Sequence, residues 1–338
     1  MSRLRKRLAG AIFAAVVTCS ASTADARCNF NAAGLTVTPV TASTGIYTPP
    51  TAPSAQGVGI RLQGTYRTTN ATNPLCTIAI SFNRTAPVSM ARSGGGATLP
   101  YTIRSLPGGG NTLLFAGGGL PTATQILSFS FTQAGTNLTA QPFDITLTPY
   151  FLAQPGSPQR EGSYSDGPTI RVYNVRQGSG ALTQLVSRAF TITGTVAKAC
   201  TIGGVASPTD DAATIPVNAM GVVNTAVITK SYLTVVCNAL TNLQATSLSG
   251  GVKRAAAAPG GFSHIINYSA VATFGGATST VNTATVATAV AAEAGSIGTT
   301  SSATSSGTLG VTITPQAPGQ PLVSGSYSDV LRIELTPQ

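Results

Sequence analysis

Apolar and polar residues alternate along many short stretches of this chain. Ile78, Ile80 and Phe82 share one face of a predicted strand, as do Leu127, Phe129 and Phe131, and Phe143, Ile145 and Leu147. Leu233, Val235 and Cys237 follow the same rule, then Ile266 with Tyr268 and Val311 with Ile313. A period of two marks a half-buried strand. Clusters of Gly, Pro, Asn and Ser separate these stretches, and no long segment keeps a capped helical period. Ala284–Ala294 is alanine-rich, but its Thr and Val content favours strand or loop. The pattern predicts an all-β chain of two tandem antiparallel β-sandwiches.

The duplication is written in the letters. Gly162-Ser163-Tyr164-Ser165-Asp166 recurs as Gly325-Ser326-Tyr327-Ser328-Asp329. The first copy runs into Thr169-Ile170-Arg171-Val172 and the second into Arg332-Ile333-Glu334-Leu335, both alternating. A cysteine pair precedes each copy: Cys28 and Cys76, then Cys200 and Cys237. Shared order on both sides of a shared motif points to two units rather than chance.

Residues 1–26 read as a signal peptide. Arg3, Arg5, Lys6 and Arg7 precede an apolar run from Leu8 to Val17, and Ala24-Asp25-Ala26 offers a small-x-small cleavage site. That run is shorter than the roughly 20 residues a membrane helix needs. The expected mature chain begins at Arg27, is exported and soluble, and has room for two domains. The boundary is expected near Gly178–Val186, dividing the chain into 27–187 and 188–338. Cys19 leaves with the signal. Four cysteines in an oxidising compartment predict two disulfides, and of three pairings the duplication favours one bridge within each unit, Cys28–Cys76 and Cys200–Cys237.

Charge alters the picture little. The formal +10 falls to +7 without the signal, and Arg residues are scattered singly through residues 27–187, with only Asp144, Glu161 and Asp166 against them. No dense basic stripe exists, so nucleic acid is not an expected partner. A solvated surface is the plain reading, with attraction to an anionic surface as the lesser one.

Particular residues carry a resemblance to the spore coat protein U domain family, whose members include pilins of archaic, Csu-type chaperone–usher pili. They are Ala-Cys200-Thr-Ile, Thr-Val-Val-Cys237, Ile-Asn-Tyr268 and the closing Gly-Ser-Tyr-Ser-Asp strand. The first unit matches more loosely, through Cys28, Leu-Cys76, Leu-Pro-Tyr101 and Gly162–Asp166. The resemblance implies immunoglobulin-like sandwiches, the second incomplete and completed by a donor strand. Its implied partners are a periplasmic chaperone, an outer-membrane usher and the next pilin subunit, which donates that strand. A family extension should precede the first cysteine. The second unit has such a segment internally, Arg188–Ala199, and the first has only Arg27 before Cys28. The resemblance thus implies a two-domain tip adhesin: exported through the periplasm, placed at the cell-surface pilus tip, supporting biofilm formation and binding an abiotic or host surface. A structural coat or matrix protein without specific adhesion is the alternative.

Catalytic chemistry finds little purchase. His264 is the sole histidine, Asp210 or Asp211 would have to orient it, and no Gly-x-Ser-x-Gly elbow exists. Neither an enzyme, a metal site nor a cofactor is expected. For surface binding, residues 94–121 hold three Gly triplets, with Leu113-Leu114-Phe115 between the last two. That run reads either as an exposed apolar finger or as a short core strand between loops. Ile46-Tyr47 and Tyr150-Phe151 are the further candidates.

Overall fold

A computed structural model describes residues 28–38, 41–68, 75–132, 139–155, 159–203, 211–285 and 292–338. The expected signal peptide and Asp210 lie outside these residues. The described chain is nearly all β, with only single turns of 3-10 helix. No described helix is long and apolar enough to cross a membrane.

Two large hydrophobic cores form among the described residues. The first gathers residues from Cys28 to Val196, and the second from Val235 to Val311. Around the first core, one sheet runs in the order Cys28–Phe30, Ile60–Thr68, Gln141–Leu147. A second runs Leu127–Thr132, Leu75–Phe82, Thr169–Val175, Leu182–Ala189. The largest runs Thr41–Tyr47, Thr191–Val196, Gly162–Asp166, Val88–Arg92, Thr98–Leu106, Tyr150–Ala153, Gln56–Gly57.

The second core repeats this plan with fewer strands. Cys200–Thr201, Ile228–Cys237 and Ser305–Pro315 are ordered like the first sheet above and continue into Tyr268–Phe274 and Ala277–Asn282. Glu293–Thr299, Thr241–Ser247 and Leu331–Pro337 match the first three strands of the second sheet. The expected all-β, immunoglobulin-like architecture is therefore present, and both predicted disulfides join the expected cysteines.

The repeated motif does the same work in each unit. Tyr164 donates to the carbonyl of Arg160, and Tyr327 donates to Val323 O at 2.8 Å, each four residues upstream. The hydroxyl thus pins the entry to its own strand, the geometry of a tyrosine corner. Gly162 and Gly325 have φ of 128° and 150°. A Cβ on them would stand 2.8 Å from Arg92 Nε and 2.6 Å from Arg254 Nε, so both conformation and space require glycine. The aspartates close the motif. Asp166 accepts from Tyr101 Oη at 2.7 Å, and Asp329 accepts from Tyr268 Oη at 2.6 Å.

The expected extension Arg188–Ala199 is corrected by the pairing. Residues 182–189 pair antiparallel with Thr169–Val175, so a division at 187/188 cuts through a strand. Thr191–Val196 then pairs with Gly162–Asp166 and, in parallel, with Thr41–Tyr47. Phe190 is buried against Phe82 and Phe151. The apolar alternation read as a donor-like segment is instead satisfied inside the first unit, and the changeover in pairing falls after Val196.

Candidate functional site

Strand registers give the first unit two poles. Val196 pairs with Gly162 and with Tyr47, and Ala197 N donates to Tyr47 O at 2.8 Å as the chain leaves for the second unit. Glu161 N donates to Asn238 O at 3.0 Å across that junction. At the opposite ends of the same strands, Asp166 pairs with Ile192 and Thr191 with Thr41. This far pole is where Arg84, the 106–110 turn and the 113–126 segment gather.

Segment 111–115 is woven between two sheets. Leu113 N donates to Ile103 O, Phe82 N to Leu113 O and Phe115 N to Phe82 O, at 2.8–2.9 Å. Leu113 is fully buried and Leu114 nearly so, and Phe115 is half-buried. The exposed-finger reading of Leu113 and Leu114 is therefore corrected. Backbone bonds on both sides draw consecutive side chains into the core. The exposed apolar residues lie in the flanking Leu-Pro steps: Leu106 is 58% exposed and Leu120 is 52% exposed.

The other sequence candidates divide. Phe151 is fully buried and stacks on Phe190 with ring centroids 5.6 Å apart, so it is core. Tyr150 is half-buried beside Gly57. Ile46 is exposed and Tyr47 half-buried, but both lie at the pole facing the second unit. His264 is exposed, and Asp211 is engaged by Lys230 at 3.0 Å and by Tyr232.

An open cleft of about 540 Å³ occupies the far pole, lined among others by Arg84, Thr85, Asn111, Thr112, Phe115 and Gln125. Its walls are built locally. Asn111 N donates to Ser105 Oγ at 2.8 Å, and Asn111 Nδ2 donates to Ala123 O at 3.0 Å, tying the hairpin to the following turn. Thr122 and Gln125 cap that turn reciprocally. Arg84 donates through Nε and Nη2 to Asp166 at 3.0 and 2.8 Å, and through Nη1 to Asn83 O at 3.1 Å.

Electrostatics fix this cluster. Burial alone would raise the Asp166 carboxyl. Hydrogen bonds from Arg84, Tyr101 and Gly167 N outweigh it and hold the group below the ordinary range. Burial, then the bond to Asp166, pushes the Tyr101 hydroxyl well above the ordinary tyrosine value. Tyr268 is raised by burial and by Asp329. The sequence displayed both tyrosines and both aspartates but not their meeting, which needs the fold.

A second feature lies along the closing strands that follow each motif. Thr169–Val175 pairs on one side with Leu75–Phe82 and on the other with Leu182–Ala189. Leu331–Pro337 pairs with Thr241–Ser247, and no described strand pairs with its other edge. A constant offset of 163 aligns the two strands. Ile170 and Val172 are 1% and 0% exposed, whereas their counterparts Ile333 and Leu335 are only half-buried.

No family model and no curated protein matches this chain. Solved structures do. One is a chaperone–tip adhesion subunit pre-assembly complex, CsuC–CsuE, from archaic chaperone–usher Csu pili of Acinetobacter baumannii. It is 13% identical with a TM-score of 0.40, over 89% of this chain and 100% of that one. A chaperone–tip adhesin complex of CFA/I fimbriae is 9% identical with a TM-score of 0.30, over 89% and 97%. The CupB6 tip adhesin from Pseudomonas aeruginosa is 12% identical with a TM-score of 0.27, over 92% and 95%. At such scores these likenesses assign no role to any residue, and the fold stands on the strand pairings described above.

Proposed function

We propose that this chain is an exported two-domain adhesive subunit of a chaperone–usher pilus. Residues 28–196 form the binding domain, and the remainder is a pilin-like domain that accepts a strand from the next subunit. The observation that carries this reading is the contrast between the closing strands. The first is enclosed by the chain's own Leu182–Ala189. The second offers an edge without a partner among the described strands, and half-buried Leu331, Ile333 and Leu335. A free, apolar sheet edge is a template for another strand. A periplasmic chaperone fills it first, and the usher exchanges that strand for a subunit's. Leu106 and Leu120, exposed at the pole farthest from the junction, supply apolar contact with an abiotic or host surface.

The test uses the full chain in calorimetry, with and without synthetic peptides that alternate apolar and polar residues in the manner of pilin extensions. Binding to the native state raises a melting transition by mass action. One transition, that of the second unit, should rise by several degrees while the other stays. If neither moves with any apolar peptide, strand acceptance is wrong.

A further inference from the structure

The duplication allows each side chain at the cleft to be compared with its counterpart in the second unit. At the offset of 163, Arg84 corresponds to Ser247 and Arg171 to Glu334. Ser247 Oγ and Ser249 N donate to Asp329, with no cation beside it among the described residues. The tyrosine–aspartate closure therefore does not need an arginine, and Arg84 is an addition of the first unit. Arg171 Nη1 donates to Gly117 O at 3.0 Å, next to Ala116 of the cleft wall. Arg104 is the cross-strand partner of Thr112, which lines the cleft and shares its face.

Arg84 thus lines the cleft itself, and Arg171 and Arg104 stand on strands beside its wall. Arg84 spends three N–H groups on Asp166 and Asn83 O, which leaves two of its five for the cleft it lines. The carboxylates of the first unit are already engaged: Asp144 by Arg61, Glu161 by Arg92 and Asp166 by Arg84. Apart from Arg84 the lining is neutral: Thr85, Thr112, Thr124, Asn111 and Gln125 supply hydroxyls and amides, and Leu114 and Phe115 supply apolar surface. Guanidiniums read carboxylates and sulfates by paired donors. Hydroxyls and amides match sugar hydroxyls, and an aromatic edge takes the apolar face of a sugar ring.

We propose that the far-pole cleft binds an acidic saccharide, a sugar bearing a carboxylate or sulfate, with Arg84, Arg104 and Arg171 facing the anionic group. This rests on the reading of the first unit as the binding domain and names its ligand class. The test is fluorescence anisotropy on the full chain with labelled oligogalacturonate and with the same oligomer methyl-esterified, so that only charge differs. The acid should bind, weaken as salt rises, and exceed the ester by about tenfold. Arg84→Ser, which installs the second unit's residue, should cost about tenfold in affinity for the acid. If that variant fails to fold, Arg104→Gln on the strand surface makes the same prediction. Equal binding of acid and ester overturns the proposal, as does a folded variant with unchanged affinity. An oligonucleotide of equal charge that binds as tightly overturns the saccharide assignment. Loss of saccharide binding in a chain that still takes the strand peptide confines the failure to the cleft. The opposite result confines it to assembly.

Discussion

The strands Thr169–Val175 and Leu331–Pro337 begin after the same motif and follow the same alternation, yet they end in different environments. The first has a strand on each side, and its inward residues are buried. The second has one neighbour among the described strands, and its apolar residues stay half-buried. Local sequence decides that both are strands and which face is apolar. A neighbouring strand decides whether that face leaves water. The lesson is that burial in a β-sandwich belongs to the sheet and not to the strand alone.

The two units should respond unequally to the same substitutions. Removing a disulfide is the largest. In the chain-entropy picture each bridge, spanning separations of 48 and 37 residues, contributes about 4 kcal/mol. Replacing Cys200 and Cys237 by Ser should unfold the second unit when no strand is supplied. Replacing Cys28 and Cys76 should lower the first transition and leave that unit folded. Calorimetry separates the two outcomes.

Next come the equivalent isoleucines. Ile170→Ala removes a fully packed side chain and should cost about 3 kcal/mol. Ile333→Ala should cost about 1 kcal/mol in the isolated chain, because that side chain still meets solvent. With a strand peptide bound, the Ile333→Ala cost should rise towards that of Ile170→Ala. Denaturant melts with and without peptide read this directly.

The aspartates differ more modestly. Asp166→Asn leaves the Arg84 charge without its partner, and should cost about 2 kcal/mol. Asp329→Asn keeps neutral donors around a neutral acceptor and should cost about 1 kcal/mol.

Proton linkage gives the smallest and most specific effect. Asp166 is held below its unfolded value, so its contribution is present above about pH 4 and is lost as pH falls through the folded value. Tyr101 and Tyr268 are held above theirs. Their contributions are complete below about pH 10 and are lost as pH rises through the folded values. Both units should therefore weaken in alkali, and Tyr101→Phe and Tyr268→Phe should each flatten that limb in one unit. Unfolding followed against pH checks both limbs.

Much of this fold is legible in the sequence. The alternation at Ile78–Phe82 and Phe143–Leu147 places strands where they occur, and the duplicated order pairs the cysteines correctly. What is hidden is anything set by which sheet a strand joins. Arg188–Ala199 alternates equally well as a donor or as an internal strand, and only the pairing of Thr191–Val196 with Gly162–Asp166 decides. Leu113-Leu114-Phe115 has no alternation because it bridges two sheets and is apolar on both sides. The far-pole cleft is lined from within residues 84 to 125 and braced by Asp166 and Arg171, too dispersed for any motif.

Amide hydrogen exchange across the two closing strands of the full chain distinguishes an enclosed strand from an open edge. In Thr169–Val175 amides on both edges are bonded, so all should exchange slowly. In Leu331–Pro337 the amides facing away from Thr241–Ser247 should exchange quickly, and should become protected when an apolar strand peptide is added. Equal, slow exchange in both strands without peptide would contradict the open edge, and with it the account of the second unit as an acceptor.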